Sequence, residues 1–181
     1  MKIDVDTVKE FVNRIKRKQS VSRFVININF KWDIKNSKVL RSVDFDHADL
    51  SGADLSGADL SGADLRYAKL DSADFSGADL SGADLRYADL RHANLDSADL
   101  RYADLSHANL DSADLFGADL RYANLYHVSF NYAHLNSVDF RHANLDSVDL
   151  SGADLRHANF NFVKGIFYCF NTRIKVLNHD L

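Results

Sequence analysis

The apolar positions of this 181-residue chain recur every five residues through its central part. Leu or Phe occupies every fifth position from Phe45 to Phe160, twenty-four times without a break, and a small apolar residue, Ala or Val, lies two positions before each. The position between these two is Asp sixteen times and Asn five times. The two remaining positions are mostly Ser, Arg, Asp, Gly, Tyr or His.

A five-residue period excludes both a regular helix and a flat strand. In an α-helix, five residues turn the chain about 140° beyond one revolution, so the leucines would spiral around every side. In a flat strand, an odd period sends successive leucines to opposite faces. A strand that bends avoids both problems, because Ala and Leu point inward, Asp points outward and the other two residues turn a corner. The pattern therefore predicts a solenoid of parallel coils.

Glycine occupies the second corner position in many repeats, as in SGADLSGADLSGADL at residues 51–65. Tyr67, His92 and Ser97 occupy equivalent positions, so glycine is not obligatory there. We therefore expect that the corner does not demand a positive φ throughout. The Ser-Gly corners also mark residues 51–65 as the plain part of the solenoid, before the Arg, Tyr and His side chains that begin at Arg66.

The units ADLSG, ADLRY and ANLDS resemble the A(D/N)LXX unit of the pentapeptide-repeat family, over about two thirds of the chain. The resemblance implies a right-handed quadrilateral β-helix, an all-β solenoid with four pentads per coil. Six coils then extend roughly 29 Å, at about 4.8 Å per strand spacing. Residues twenty positions apart are expected to form columns along the outside.

The repeat divides the chain into three parts: an N-terminal cap over residues 1–40, the β-helix over residues 41–163, and a C-terminal segment over residues 164–181. Apolar residues at helical spacing and a capping box at Thr7 and Glu10 predict a helix over about residues 7–18, which covers the first coil.

The C-terminal segment is too apolar to remain uncovered. It either caps the last coil or forms a dimer contact, and the resemblance implies that C-terminal homodimers are common. The lone cysteine, Cys169, is expected to be a small buried apolar residue. With neither an internal disulfide nor a signal peptide pattern, we expect a cytoplasmic protein that does not enter a membrane.

The sequence predicts no catalytic activity and no cofactor. It contains no nucleophile elbow, phosphate-binding loop or metal-ligand motif. A solenoid filled with Leu, Phe and Ala also has no concave cleft. Six of the eight histidines share the second corner position, where they are expected to face solvent rather than to bind zinc.

The charges of the chain are divided between an acidic body and two basic ends. Residues 1–40 contain ten Lys or Arg and four Asp or Glu, whereas residues 41–163 contain nine Lys or Arg and twenty-one Asp, a formal charge of −12. One negative charge per roughly 2.4 Å of rod approaches the one per about 1.7 Å of duplex DNA. Such a body is expected to attract basic protein surfaces and not to bind nucleic acid.

The twenty-residue register predicts two candidate binding surfaces. The first is an acidic column of five residues: Asp59, Asp79, Asp99, Asp119 and Asp139. The resemblance implies a possible DNA mimic, because some members bind DNA gyrase or topoisomerase IV. The alternative is a structural or scaffolding solenoid with no topoisomerase partner.

The second surface is a band of arginines and rings. Arg101, Arg121 and Arg141 are expected to stack along one edge beside Tyr102, Tyr122 and His142. Arg and Tyr are common anchors of protein interfaces. The same residues can equally form a self-stacking ladder that stabilises adjacent coils.

Overall fold

The computed structural model describes residues 40–170, which form a four-sided solenoid. Each side contributes one bridged residue per coil, and that residue pairs in parallel with the residue twenty positions further along, as Asp44 does with Asp64. One coil therefore takes four pentads, as predicted. The helix predicted over residues 7–18 lies outside the described residues, so the N-terminal cap stays a prediction.

The sides are named here by their bridged residues, and each side includes the corner that follows it. Each strand consists of one bridged residue. These are residues 44, 64, 84, 104, 124, 144 and 164 on side A; 49, 69, 89, 109, 129, 149 and 168 on side B; 54, 74, 94, 114, 134 and 154 on side C; and 59, 79, 99, 119, 139 and 159 on side D. Leu40 lies in a 3-10 turn. No helix within residues 40–170 has the length and apolar character to cross a membrane.

Backbone hydrogen bonds between successive coils hold the solenoid together. The N–H of Leu50 donates to the C=O of Lys69, and the N–H of Lys69 donates to the C=O of Ala48, both at 2.8 Å. At the corner, the N–H of Gly52 donates to the C=O of Asp71 at 2.8 Å. This pattern recurs along the stack, so a proline would remove a bond at most positions, and the chain contains none.

The interior is filled by the Ala, Val, Leu and Phe positions of the repeat. Leu100 on side D and Leu115 on side C are completely buried, and so are the smaller Ala98 and Ala113 before them. The prediction that Ala and Leu point inward is therefore confirmed. Because the four sides contribute similar residues to the core, the differences between them lie on the outer surface.

The second of the two corner residues in each repeat, from Ser42 to Phe162, has a left-handed backbone whatever its side chain. The φ angle is +56° at Tyr67 and +57° at Ser97, close to the +64° of Gly82. The expectation that a positive φ is not required throughout is therefore wrong. The corner is closed by a bond such as Ala83 N–H to Leu80 C=O at 3.0 Å, and a positive φ at the third residue is the sign pattern of a type II turn.

The twenty-residue register ends at the last described coil. Gly165 has a φ of +105°, and a Cβ there would lie 2.3 Å from the backbone nitrogen of Asp146, so only glycine fits. Beyond it, Asp149 bridges to Tyr168, nineteen residues away. Cys169 is exposed rather than buried as expected, because it lies beyond the last complete coil.

Candidate interaction surface

Side D carries the acidic column that the sequence predicts. Parallel bridges join Asp59 to Asp79 and continue through Asp99, Asp119 and Asp139, in the predicted order. Each carboxylate also closes its own corner by accepting the backbone N–H two residues later, as Asp79 does from residue 81 at 2.9 Å. Asp or Asn is thus favoured at this position for local reasons, independent of any partner. A role of the column in binding stays a prediction.

An arginine ladder on side D neutralises most of this column. Arg101, Arg121 and Arg141 each bond the aspartate two residues earlier. In the middle member, Arg121 Nη2 lies 2.6 Å from Asp119 Oδ2, and Nε lies 3.8 Å from Asp139 Oδ2 on the next coil. Three of the five predicted aspartates, Asp99, Asp119 and Asp139, therefore form one ladder of alternating charge with the predicted arginines rather than a separate surface.

Arg101 and Arg141 lower the pKa values of Asp99 and Asp139. At Asp99, the hydrogen bond from the Arg101 side chain is the largest influence and lowers the pKa, while partial burial opposes it. At Asp139, partial burial is the largest influence and raises the pKa, but the side-chain and backbone hydrogen bonds of Arg141 outweigh it, so the pKa is lowered overall. Both carboxylates are therefore ionised at neutral pH, but each is already bonded to an arginine.

The formal charge is distributed unequally over the four sides. Side D has five aspartates and four arginines, a charge of −1, whereas side C has five aspartates and only Arg156, a charge of −4. Sides A and B carry −3 each between residues 40 and 170. The side C aspartates are Asp54, Asp74, Asp96, Asp114 and Asp154. The most acidic surface is therefore side C with its neighbour side B.

Two ladders of stacked rings border side A. The first lies between sides A and B and runs through His47, Tyr67, Tyr87, His107 and His127, with ring centroids 4.7–5.2 Å apart. The second lies between sides D and A and runs through Tyr102, Tyr122, His142 and Phe162, at 4.7–5.0 Å. The predicted stacking of Tyr102 on Tyr122 is confirmed. The first ladder was not predicted as a single stack, although the twenty-residue spacing of its tyrosines and histidines is visible in the sequence.

Within residues 40–170, no group of three His, Cys, Asp or Glu side chains is arranged to hold a metal ion. The corner histidines at positions 47, 107, 127 and 142 lie in ring stacks instead. What the surface presents to another molecule is charge, ring edges and hydrogen-bonding corners.

Comparison with known proteins identifies the repeat. The family model for pentapeptide repeats matches residues 39–161 in overlapping segments, with eight copies. Such repeats form right-handed quadrilateral β-helices, and the parallel twenty-residue register agrees with this, so the predicted fold class of the body is confirmed. No curated protein matches the chain at a significant level.

Solved structures with similar repeats include a pentapeptide repeat protein from the thylakoid lumen of Arabidopsis thaliana, 36% identical over 57% of this chain and 68% of that chain, with a TM-score of 0.43. HetL from the cyanobacterium Nostoc sp. strain PCC 7120, involved in heterocyst differentiation regulation, is 35% identical over 68% of this chain and 66% of its own, with a TM-score of 0.31. QnrB1, a plasmid-mediated fluoroquinolone resistance protein, is 21% identical over 72% of this chain and 80% of its own, with a TM-score of 0.28. Because these TM-scores lie below 0.5, the family assignment rests on the repeat match.

Proposed function

Since the chain belongs to the pentapeptide-repeat family, we propose that it is a non-catalytic rod that binds another protein through its outer surface. The observation that supports this best is the uneven charge of the rod, because sides B and C together carry −7 and side D only −1. The core of residues 40–170 is filled by apolar side chains, so a binding site in this part of the chain must lie on its outer surface.

The specific proposal is that the rod mimics DNA in the binding groove of a type II topoisomerase, DNA gyrase or topoisomerase IV. The pentads run unbroken from Phe45 to Phe160, so no loop interrupts the acidic surface of sides B and C. The charge density of the whole rod, one negative charge per roughly 2.4 Å, is within a factor of about two of that of duplex DNA. Sides B and C would face the basic groove, because the arginines of side D would be repelled by it. A cytoplasmic location, which this partner requires, is itself still a prediction.

A supercoiling assay tests the topoisomerase proposal. Purified full-length protein at micromolar concentration is added to gyrase reactions with and without ciprofloxacin. We expect inhibition of supercoiling and less drug-stabilised cleavage, because the rod would compete with DNA for the groove. If neither changes, the DNA-mimic function is wrong, and a protein-binding rod with another partner is left.

A structural or scaffolding rod is the second candidate, and the ladders favour it. Arg121 joins Asp119 to Asp139 of the next coil, and the stacked rings likewise join successive coils. These groups stabilise the rod itself without any partner. The scaffolding role predicts that supercoiling is unaffected.

We also propose that the C-terminal end forms a homodimer contact. Phe162, Ile166 and Phe170 are 72–76% exposed, which leaves an apolar surface where the solenoid stops. Light scattering of the full chain should give twice the mass of one chain, and Phe170→Asp should restore the mass of one. A single-chain mass for the unaltered protein would contradict the dimer.

A further inference from the structure

At the corner between sides D and A, the arginine column is interrupted at two coils, and the ring ladder begins only after the same two coils. Arginine occupies positions 41, 101, 121 and 141, but serine occupies positions 61 and 81. Rings occupy positions 102, 122, 142 and 162, but glycine occupies positions 62 and 82. The residues Ser61, Gly62, Ser81 and Gly82 form what we call the ledge, directly before Tyr102 in the stack.

The ring of Tyr102 has one uncovered face, and that face is turned toward the ledge. Tyr102 is 64% exposed, whereas the tyrosines that lie between two other rings are 46–48% exposed. Those tyrosines are Tyr67, Tyr87 and Tyr122. A Cβ built on Gly82 would meet nothing within 4 Å. At another corner Tyr132 leans over Gly152, where an added Cβ would lie 2.6 Å from the ring. No ring covers Gly82 in this way.

The carboxylate of Asp79, at the edge of the ledge, lacks the arginine that its column neighbours have. Its Oδ1 accepts the backbone N–H of Ser81 at 2.9 Å and the Ser81 hydroxyl at 2.6 Å. Among residues 40–170, no donor bonds its Oδ2. By contrast, Arg101 bonds Asp99 and also lies 3.7 Å from Asp119 on the next coil. A guanidinium at the position of Ser81 would join Asp79 to Asp99 in the same way.

We propose that the ledge binds an arginine side chain of a protein partner. A guanidinium is planar, so it can cover the open ring face of Tyr102, and its fork of N–H donors matches the carboxylate of Asp79. A lysine ammonium would pair with the carboxylate but would not cover the ring, and an aromatic side chain would leave the carboxylate without a cation. The inference rests on the proposed protein-binding function and adds the contact site and its chemistry.

A peptide titration of the full chain tests the proposal. Amide chemical shifts of the ¹⁵N-labelled protein are followed while acetyl-Gly-Arg-Gly-amide is added. We expect saturable shifts at Gly82 and Tyr102. Replacing the arginine of the peptide by lysine or by uncharged citrulline should weaken binding at least about threefold, since each loses one of the two contacts. Equal shifts with the lysine peptide, or shifts spread over all four sides, would overturn the proposal.

Filling the ledge from within the chain is the second test. Ser81→Arg with Gly82→Tyr should continue both ladders, because the φ of +64° at Gly82 matches the +60° of Tyr102. We expect this variant to bind the peptide about tenfold more weakly. The matched control is Ser76→Arg with Gly77→Tyr, where an added Cβ also meets nothing within 4 Å. The residue twenty positions after Gly77 is Ser97, so the introduced tyrosine has no ring there to stack on. This control should bind the peptide with unchanged affinity.

A single-charge variant keeps the test informative if the double variant does not fold. Asp79→Asn should weaken peptide binding about threefold, as for one exposed ion pair, while Asp74→Asn on side C should not. An unchanged affinity for Asp79→Asn would contradict the proposal.

The titration contains no topoisomerase, so failure of the supercoiling assay and failure of peptide binding are separate results. If the amide chemical shift of Gly82 changes with protein concentration in the absence of peptide, the occupant of the ledge is a second copy of the chain. That result would overturn the proposal.

Discussion

Sides C and D contain the same number of aspartates and yet present different surfaces. Each has five, but side D adds four arginines and side C only Arg156. Their interiors are alike, since Leu115 of side C and Leu100 of side D are both completely buried. The number of aspartates in the repeats of one side therefore does not determine the net charge of the surface that those repeats form. What decides the surface is the residue that follows the inward leucine.

The turn explains why that residue matters so much. The corner brings the residue two positions after each aspartate against its carboxylate, so an arginine there reaches the carboxylate directly, as Arg101 does with Asp99. On side C, Asp74 instead accepts from the backbone N–H of Ser76 at 2.9 Å and from the amide of Asn94 at 3.3 Å. Neither donor carries a charge, so the negative charge of Asp74 remains available to a partner.

The largest expected effect concerns the shared interior. Leu100→Ala and Leu115→Ala should each lower the free energy of unfolding by about 3 kcal/mol, because each removes a completely buried leucine side chain. Urea unfolding of the two variants measures this. A large difference between them would mean that sides C and D also differ in packing, and the comparison would no longer be confined to the outer surface.

The second prediction tests which side binds a basic partner. Replacing Asp74, Asp96 and Asp114 by Asn should weaken inhibition of gyrase about tenfold, since three charges of the acidic side are lost. The matched triple variant at Asp79, Asp99 and Asp119 removes the same charge from side D. It should have a smaller effect, because two of its carboxylates are already paired with arginine. Equal losses would show that only the total charge matters.

The third prediction concerns pH. The pKa of Asp99 is lowered from its ordinary value of 3.8, so its pairing stabilises the fold above that pH, and the contribution is lost as the pH falls through the lowered pKa. Arg101→Gln should move the carboxyl titration of Asp99 upward toward 3.8, as followed by ¹³C chemical shifts. The control Arg156→Gln should raise the pKa of Asp154 on side C and leave Asp99 unchanged.

The smallest effect is expected at the corner shared by sides C and D. Ser137 has a φ of +62°, which is unfavourable for a residue with a Cβ. Ser137→Gly should raise the free energy of unfolding by about 0.5 kcal/mol, because relief of this strain exceeds the extra entropy that glycine has in the unfolded chain. Thermal unfolding measures the change. A clear loss of stability would mean that the serine side chain contributes more to this corner than its backbone strain costs.

Much of the fold could be predicted from the sequence because the repeat is nearly invariant inside. The spacing of Ala and Leu permits only a coil with a narrow apolar interior, and the family resemblance supplied the number of pentads per coil. The backbone of the corner could not be predicted in this way. Residues such as Tyr67 and Ser97 tolerate a positive φ because hydrogen bonds between coils compensate for the strain, and the identity of a residue does not reveal such compensation.

From the sequence, the candidate site could be predicted only as columns of residues that lie twenty positions apart. The register correctly stacked Asp59 through Asp139 and placed Tyr102 beside Tyr122. It did not reveal that the arginines two positions later hold three of those carboxylates, Asp99, Asp119 and Asp139. It also led residues 51–65 to be interpreted as the plain part of the rod, whereas Ser61 and Gly62 belong to the ledge proposed here as a contact site.

The sequence alone therefore determined the period, the inward and outward positions and the family, because each depends only on the spacing of residues along the chain. The tertiary structure decided which charges remain available and which ring keeps an open face. These depend on neighbours two positions away around a turn and twenty positions away on the next coil, and only the folded coil brings both into contact with one carboxylate or one ring.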